Sequence, residues 1–368
     1  MQFKFRIATK VFFGEGCLNK NKSEIAGFGK KSMIVTGRSS GKKSGALDDM
    51  TKALEELSID YIIYDKIENN PSLENVADAG KIAREEKVDF IAGIGGGSPL
   101  DASKAVAVLA VNDIQPVELF NNAFDNRPLP IIAIPTTAGT GSEVTPYSIL
   151  TRNDIKNKMS FGNDDIFPAV AFLDARYTES LPYSVTVDTA IDALSHAVEG
   201  YTNKRSTIMS DIFAVEAISV FGECLDNLLT NKIDYRIREK LLYMAMLGGM
   251  VISHTGTTIV HGLGYPLTYY KGIPHGRANG MLMAEYLKFN YEAIKDKTDN
   301  ILRLLRVGSL DEFGKIMKKL VNTELSLSED EITLFASTGA KHRSVAQNPR
   351  DIAVSDMVSI LKNVFKVW

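Results

Sequence analysis

At 368 residues the chain is too long for one ordinary hydrophobic core and predicts two domains. An apolar fraction of 45% with 24% charged residues is that of a soluble globular protein, and a net charge of −3 argues against a broad nucleic-acid surface while allowing a local basic pocket. Cys17 and Cys224 form neither a disulfide framework nor a zinc-ligand spacing, Met1–Arg6 lacks the apolar core of a signal peptide, and no run approaches the ~20 apolar residues of a membrane span, so a cytoplasmic protein is expected.

Two extended segments open the chain, Phe3–Ile7 and Val11–Phe13, and end at Gly14-Glu15-Gly16. The β-like run Lys31–Gly37 follows and closes on glycine. Behind it lies the polar, basic and flexible stretch Arg38–Gly45. A helix is predicted over Ala46–Leu57, a strand over Asp60–Tyr64, a turn at Asn70-Pro71, and a helix over Leu73–Glu86. Next comes the strand Phe90–Ile94, running into Gly95-Gly96-Gly97-Ser98, and a helix over Pro99–Val111 with proline in its first turn, where the missing N–H costs nothing. The strand Leu129–Ile134 leads into Pro135–Glu143. Strands alternating with helices at these lengths predict a doubly wound parallel sheet with its loops gathered at the strand ends.

From about Leu181 the texture changes to helical periodicity: Val187–Glu199, Ser210–Leu229, Tyr235–Ile252, Gly280–Phe289, Thr298–Arg306, Leu310–Leu320 and Ile352–Val367. The expected organisation is therefore an α/β nucleotide domain over residues 1–180 and an all-α domain over 181–368, with the boundary near Ser180–Pro182.

Three stretches carry chemistry. Gly96, Gly97 and Ser98 sit between a strand and a helix, where backbone amides and the positive helix N-terminus hold phosphate. Thr136 to Ser142 offers further hydroxyls beyond another strand end, and two such loops on one sheet point to a dinucleotide. After Gly37, where an acid commonly accepts from an adenosine ribose hydroxyl, this chain has Arg38, Ser39, Ser40, Lys42 and Lys43 and no acid before Gly45, a setting that would welcome a 2′-phosphate.

In the second half, Asp192 and His196 stand four apart on one helix face, so that a carboxylate and an imidazole converge. His261-Gly262 and His275-Gly276 add imidazoles where glycine permits close approach, out of five histidines in all. Oxygen and nitrogen donors together suit a divalent metal. The same features, one by one, also fit a tight turn, a solvated basic loop and a helix-surface ion pair.

With these residues in view the chain resembles the iron-containing (group III) alcohol dehydrogenases. The resemblance is colinear from Val11-Phe12-Phe13-Gly14 to about Asn279. It runs through Gly95-Gly96-Gly97-Ser98-Pro99 and Asp101, Pro135 to Thr145, Asp192 to Tyr201, His261-Gly262-Leu263 and His275-Gly276. It implies a dehydroquinate synthase-like, iron alcohol dehydrogenase fold with the active site in a cleft between the two domains. It implies Asp192, His196, His261 and His275 as ligands of Fe²⁺, a set that also suits Zn²⁺. It implies Gly96, Gly97, Ser98, Thr136, Thr137, Ser142 and Thr145 as cofactor contacts, with Asn70, Asp101, Tyr147 and Lys158 added.

Many members carry aspartate where this chain has Gly37. The chain resembles the branch accepting NADP(H) in preference to NAD(H), with Gly37, Ser39 and Ser40 beside the 2′-phosphate. The expected activity is hydride transfer between NADP(H) and a short-chain primary alcohol, diol or aldehyde, by a homodimer with no nucleic-acid or membrane partner. The alternatives are a zinc glycerol dehydrogenase-like enzyme and a non-catalytic nucleotide- or metal-binding protein.

One departure stands out. Members often carry a second histidine one turn after the third ligand, and here that position is Tyr265. A phenol, ionising near pH ~10, is a poor base at neutral pH but can donate through its hydroxyl. His254, two helical turns before His261, has two readings: a packing histidine, or one sharing the face of His261.

Overall fold

The computed structural model describes residues 2–122 and 124–367. The chain separates into two compact units, Arg6–Leu181 and a second that begins at Pro182 and takes in the segment before Arg6.

Among the described residues the first unit is built on eight strands: β1 Lys10–Phe13, β2 Lys31–Gly37, β3 Asp60–Ile67, β4 Phe90–Gly95, β5 Ile131–Pro135, β6 Tyr147–Arg152, β7 Asn157–Gly162 and β8 Val170–Leu173. Six of them form a parallel sheet in the order β1-β8-β5-β4-β2-β3, and β6 pairs antiparallel with β7 as a separate hairpin. Every residue of β4 and β5 is buried. This is why their sequences read as continuous apolar runs rather than alternating ones, as for strands covered on both faces. Apolar clusters on the two faces contain Met33, Val35, Ile91 and Ile131 on one side and Ile34, Ala92, Ile94 and Ile132 on the other. Each such side chain, fully buried, stabilises the unit by roughly 1.5–3 kcal/mol.

The order reverses between β2 and β4, because β2 leads outward to β3 while β4 leads to β5 and β8. In an open α/β sheet this switch point, at the carboxyl ends of the strands, is where ligands bind. Gly37 ends β2 and Gly95 ends β4, which brings the two predicted cofactor loops to that edge.

The second unit is helical, with helices Tyr183–Thr202, Ile208–Leu229, Tyr235–Thr255, Ile259–Lys271, His275–Asn290, Lys295–Leu305, Leu310–Val321, Glu329–Ala340 and Val354–Val364. It is helical as expected, with one small addition: Ser326–Leu327 and Lys366–Val367 form a short parallel pair.

Two expectations of local structure are corrected, and the packing reading of His254 holds. Phe3–Ile7 forms no strand; Phe5 instead stacks between Phe213 and His254, with ring centroids 5.5 and 4.4 Å away. The stretch after β2 is not loop throughout, since Ser40–Lys43 makes one helical turn. His254 does not share a helix with His261. Gly256, at φ 69°, ends the first helix, and His254 Nδ1 lies 2.8 Å from the Met250 carbonyl beneath Phe5. His254 is a packing residue.

Candidate metal centre and cofactor loops

The helix Tyr183–Thr202 is buried along most of its length, and Asp192, His196 and Glu199 are among its buried residues. Three, four and seven residues separate these positions, so one helix stripe carries them all. His261 arrives from the first turn of Ile259–Lys271, and His275 is the first residue of the next helix. Asp192, His261 and His275 each present a donor atom within 4.8 Å of the others. His196, one turn beyond Asp192, stacks on His261 with centroids 4.8 Å apart and planes at 22°. It lies beside that trio rather than within it. Tyr265 lies face to face with His275, at 5.0 Å and 9°.

The approach depends on missing side chains. A Cβ on Gly276 would come 1.8 Å from the Asp188 carbonyl and 2.9 Å from Asp192 Cβ, and one on Gly264 would come 2.3 Å from Asn279 Oδ1. Any larger residue at either position would push the ligand helices apart.

The residues fit a cation. Asn279 Nδ2 lies 3.0 Å from Asp192 Oδ1, 3.3 Å from His261 Nε2 and 3.4 Å from His275 Nε2, while Asn279 Oδ1 is buried with no partner among the described residues. Three lone-pair atoms thus converge on one amide that has two protons, the pattern of acceptors that a positive ion satisfies. One carboxylate and imidazoles without thiolate suit Fe²⁺ or Zn²⁺. Burial opposes the charge on Asp192, yet the imidazoles of His196, His275 and His261 outweigh it and hold the carboxyl below its ordinary range.

Glu199 orients His261. Its Oε2 accepts from His261 Nδ1, and its Oε1 accepts from Thr258 N (2.8 Å), Thr258 Oγ1 (2.6 Å) and Val260 N (3.1 Å). With the proton fixed on Nδ1, Nε2 keeps its lone pair for a metal, the usual device for a ligating histidine. Sequence reasoning passed over Glu199. Its signal was a carboxylate one turn past His196, on the same helix stripe as Asp192 and His196. His342 was missed as well; it packs on Tyr265 at 4.9 Å.

On the first unit, the loop after β4 and the loop after β5 interlock. A Cβ on Gly96 would meet Thr137 Oγ1 at 3.0 Å, and one on Gly97 would meet Thr140 Cγ2 at 2.6 Å. Gly96, Gly97, Ser98 and Thr137 remain half-buried, whereas Thr136, Ser142 and Thr145 are buried. Ser142 Oγ donates to Asp101 Oδ1 (2.5 Å) and accepts from Lys104 Nζ (2.7 Å), which also donates to Thr145 Oγ1 (3.2 Å) and the Tyr147 carbonyl (2.6 Å). Ser142, Asp101 and Thr145 thus brace the loop from beneath, and the buried Lys104 joins them unforeseen. Lys158 Nζ donates to Asn70 Oδ1 at 2.6 Å, and Asn70 N donates to Ser98 Oγ at 3.1 Å, which ties these three predicted contacts into one cluster. Beyond Gly37, Ser39 is exposed and Ser40 half-buried, while Lys42 pairs with Asp65 at 3.4 Å.

Both halves have known counterparts. Residues 8–175 match the family model for iron-containing alcohol dehydrogenase, and residues 186–365 match that for the C-terminal part of the Fe-containing alcohol dehydrogenase family. The NAD-dependent methanol dehydrogenase of Bacillus methanolicus is 28% identical over 98% of this chain and 99% of its own length. The NADPH-dependent butanol dehydrogenase of Clostridium saccharobutylicum is 28% identical over 98% of both. The crystal structure of an iron-containing alcohol dehydrogenase from Thermotoga maritima superposes with a TM-score of 0.93 at 40% identity, covering 99% of each chain. The chain belongs to the iron-containing alcohol dehydrogenase family. It is an alcohol dehydrogenase-type oxidoreductase of that family. Among the described residues no helix is long and apolar enough to cross a membrane.

Proposed function

We propose that Asp192, His196, His261 and His275 hold Fe²⁺, and that the enzyme transfers hydride between NADP(H) and a short-chain primary alcohol, diol or aldehyde. The observation that carries this reading is the convergence of Asp192, His261 and His275 donor atoms within 4.8 Å, with Glu199 fixing the His261 tautomer. A bound metal supplies Lewis acidity to the alcohol or carbonyl oxygen, and the nicotinamide ring supplies or receives the hydride.

The chain's own residues do the rest. Asp192 brings the one negative charge among the ligands and lowers the cost of holding a dication in a buried site. Tyr265, flat against His275, has a hydroxyl that can donate a proton near the reacting oxygen, the role a histidine at this position would otherwise fill. In the other unit the amides of Gly96 and Gly97 and the Ser98 hydroxyl offer donors to a pyrophosphate. The NADP preference rests on the absence of an acid from Gly37 to Gly45 and on the accessible Ser39 and Ser40 hydroxyls. The pairing of Lys42 with Asp65 opposes it in part, by drawing one cation away.

The test is a panel of propanol, butanol, a diol and short aldehydes, run on anaerobically iron-reconstituted enzyme with each nicotinamide cofactor. The expected result is turnover that needs the metal and a higher kcat/KM with NADP(H). Metal-independent turnover, or preference for NAD(H), overturns the corresponding part of the reading.

A further inference from the structure

The two later ligand histidines are held by different means. His261 is held at its edge, by the Glu199 carboxylate on Nδ1. The imidazole of His275 is held on its face, by Tyr265 at 5.0 Å and 9°, while Thr268 Oγ1 lies 3.5 Å from its Nδ1, at the outer limit of a hydrogen bond. A stacked ring resists tilting but not sliding, so Tyr265 must itself be fixed.

His342 fixes it. This ring meets Tyr265 at 4.9 Å and 48°, and its own Nδ1 lies 2.7 Å from Ser344 Oγ, to which it donates as the Nδ1–H tautomer. Ser344 Oγ donates in turn to the Thr258 carbonyl at 2.8 Å, and Thr258 is the residue whose N–H and hydroxyl both donate to Glu199. A closed circuit results: His261, Glu199, Thr258, Ser344, His342, Tyr265, His275. The segment bearing His342 and Ser344 is pressed onto the ligand helix by paired glycines. A Cβ on Gly339 would come 2.9 Å from the Gly262 carbonyl, and one on Gly262 would come 3.1 Å from Val345 Cγ2. Burial pushes His342 down to about 4, so at neutral pH it presents an uncharged ring to Tyr265.

We propose that His342 is a positioning residue of the metal centre, which through Tyr265 sets the plane of His275 and, through Ser344 and Thr258, couples it to the carboxylate that sets His261. This rests on the ligand assignment proposed above. The circuit assigns a role at the centre to a segment 67 residues beyond His275, the last of its ligand motifs.

The test uses full-length protein loaded with Co²⁺ alone, whose visible absorption band reports ligand geometry, and challenged with EDTA. For His342→Ala we expect cobalt loss about tenfold or more faster than wild type with a displaced band, and for His342→Phe, which restores a ring face, recovery of most of the retention and of the band. Retention and spectrum like wild type in His342→Ala overturn the inference, and so does equal loss in the alanine and phenylalanine variants. If His342→Ala does not fold, His342→Phe with a wild-type band against His342→Gln with a displaced one decides in its favour, and equal bands decide against it. Wild-type protein that takes up no Co²⁺ overturns the ligand assignment and this inference together; wild-type uptake with an unaffected His342→Ala overturns this inference alone.

Discussion

The Glu199 carboxylate grips His261 at Nδ1 while its second oxygen takes three protons from Thr258 and Val260. Burial works against the charge on Glu199, but His261 and the Thr258 donors outweigh it and hold the carboxyl below its ordinary range. Glutamine in its place would face donors on both sides, and whichever way the amide turned its NH₂ would meet an N–H or O–H. Glu199→Gln is therefore expected to weaken metal affinity by about 10–100-fold. Competition with a chelator measures this, and affinity like that of the wild type would show that Glu199 is packing alone.

The cofactor preference turns on Gly37. A Cβ there would stand 3.4 Å from Ser40 Oγ, 3.5 Å from the Ile67 carbonyl and 3.9 Å from Pro99 Cγ, all ordinary contacts, so aspartate fits without displacing the strand. Hydrogen bonds to a charged group contribute roughly 1.5–3 kcal/mol each, and one or two to a 2′-phosphate give about tenfold preference or more. Gly37→Asp places like charge beside that phosphate and offers an acceptor to a free ribose hydroxyl. We expect kcat/KM for NADP to collapse and that for NAD to hold or rise. A variant that keeps its NADP preference would mean the loop after β2 is only a solvated surface.

Glu143 carries a separate signature. It is buried, its Oε1 has no partner among the described residues, and burial pushes its carboxyl up to about 7 despite the nearby Lys104. The same burial pushes Lys104 down to about 8. Because the unfolded chain ionises Glu143 near 4.5, the folded state holds this proton more tightly, and the group costs stability progressively as pH rises from 4.5 to about 7. The cost levels off above that window, at about 3 kcal/mol for this shift. Glu143→Gln removes it. The variant should gain on the wild type across the window, and losing the partner of Lys104 shifts the comparison in the same direction with pH. Denaturant midpoints for both proteins from about pH 4.5 to 8 test this; a difference independent of pH would contradict it.

Much of this molecule is written in local patterns. The strands β2 and β4 could be read from apolar runs closing on glycine, and Asp192 with His196 from helical spacing, because both depend on neighbours in sequence. Other parts depend on tertiary contact. The helix Ile259–Lys271 holds Gly262, Gly264 and Pro266, all poor helix formers, and exists because those small residues let Asn279 and Val345 pack closely. The helix Glu329–Ala340 went unread although Ser328 and Glu331 form a capping box at its start. For His254 the packing reading was the sound one, because counting two turns to His261 assumes an unbroken helix, which Gly256 interrupts. Lys104 and His342 were invisible because their partners come from distant segments.

Tyr265 presents a ring face to His275, and the proposed proton role would rest on its hydroxyl alone. Tyr265→Phe keeps the face. Metal content should stay near that of the wild type while turnover falls and the pH profile of kcat moves. An unchanged profile would leave water and the cofactor ribose as the proton's route.

The central claim is that four side chains of the helical unit hold the metal. Metal content of purified wild type and His261→Ala, each reconstituted with Fe²⁺ and desalted, tests it most directly, with circular dichroism confirming that the fold survives. The account predicts about one ion per wild-type chain and loss of most of it in the variant, with activity lower by orders of magnitude. Full occupancy and normal turnover in folded His261→Ala would contradict it.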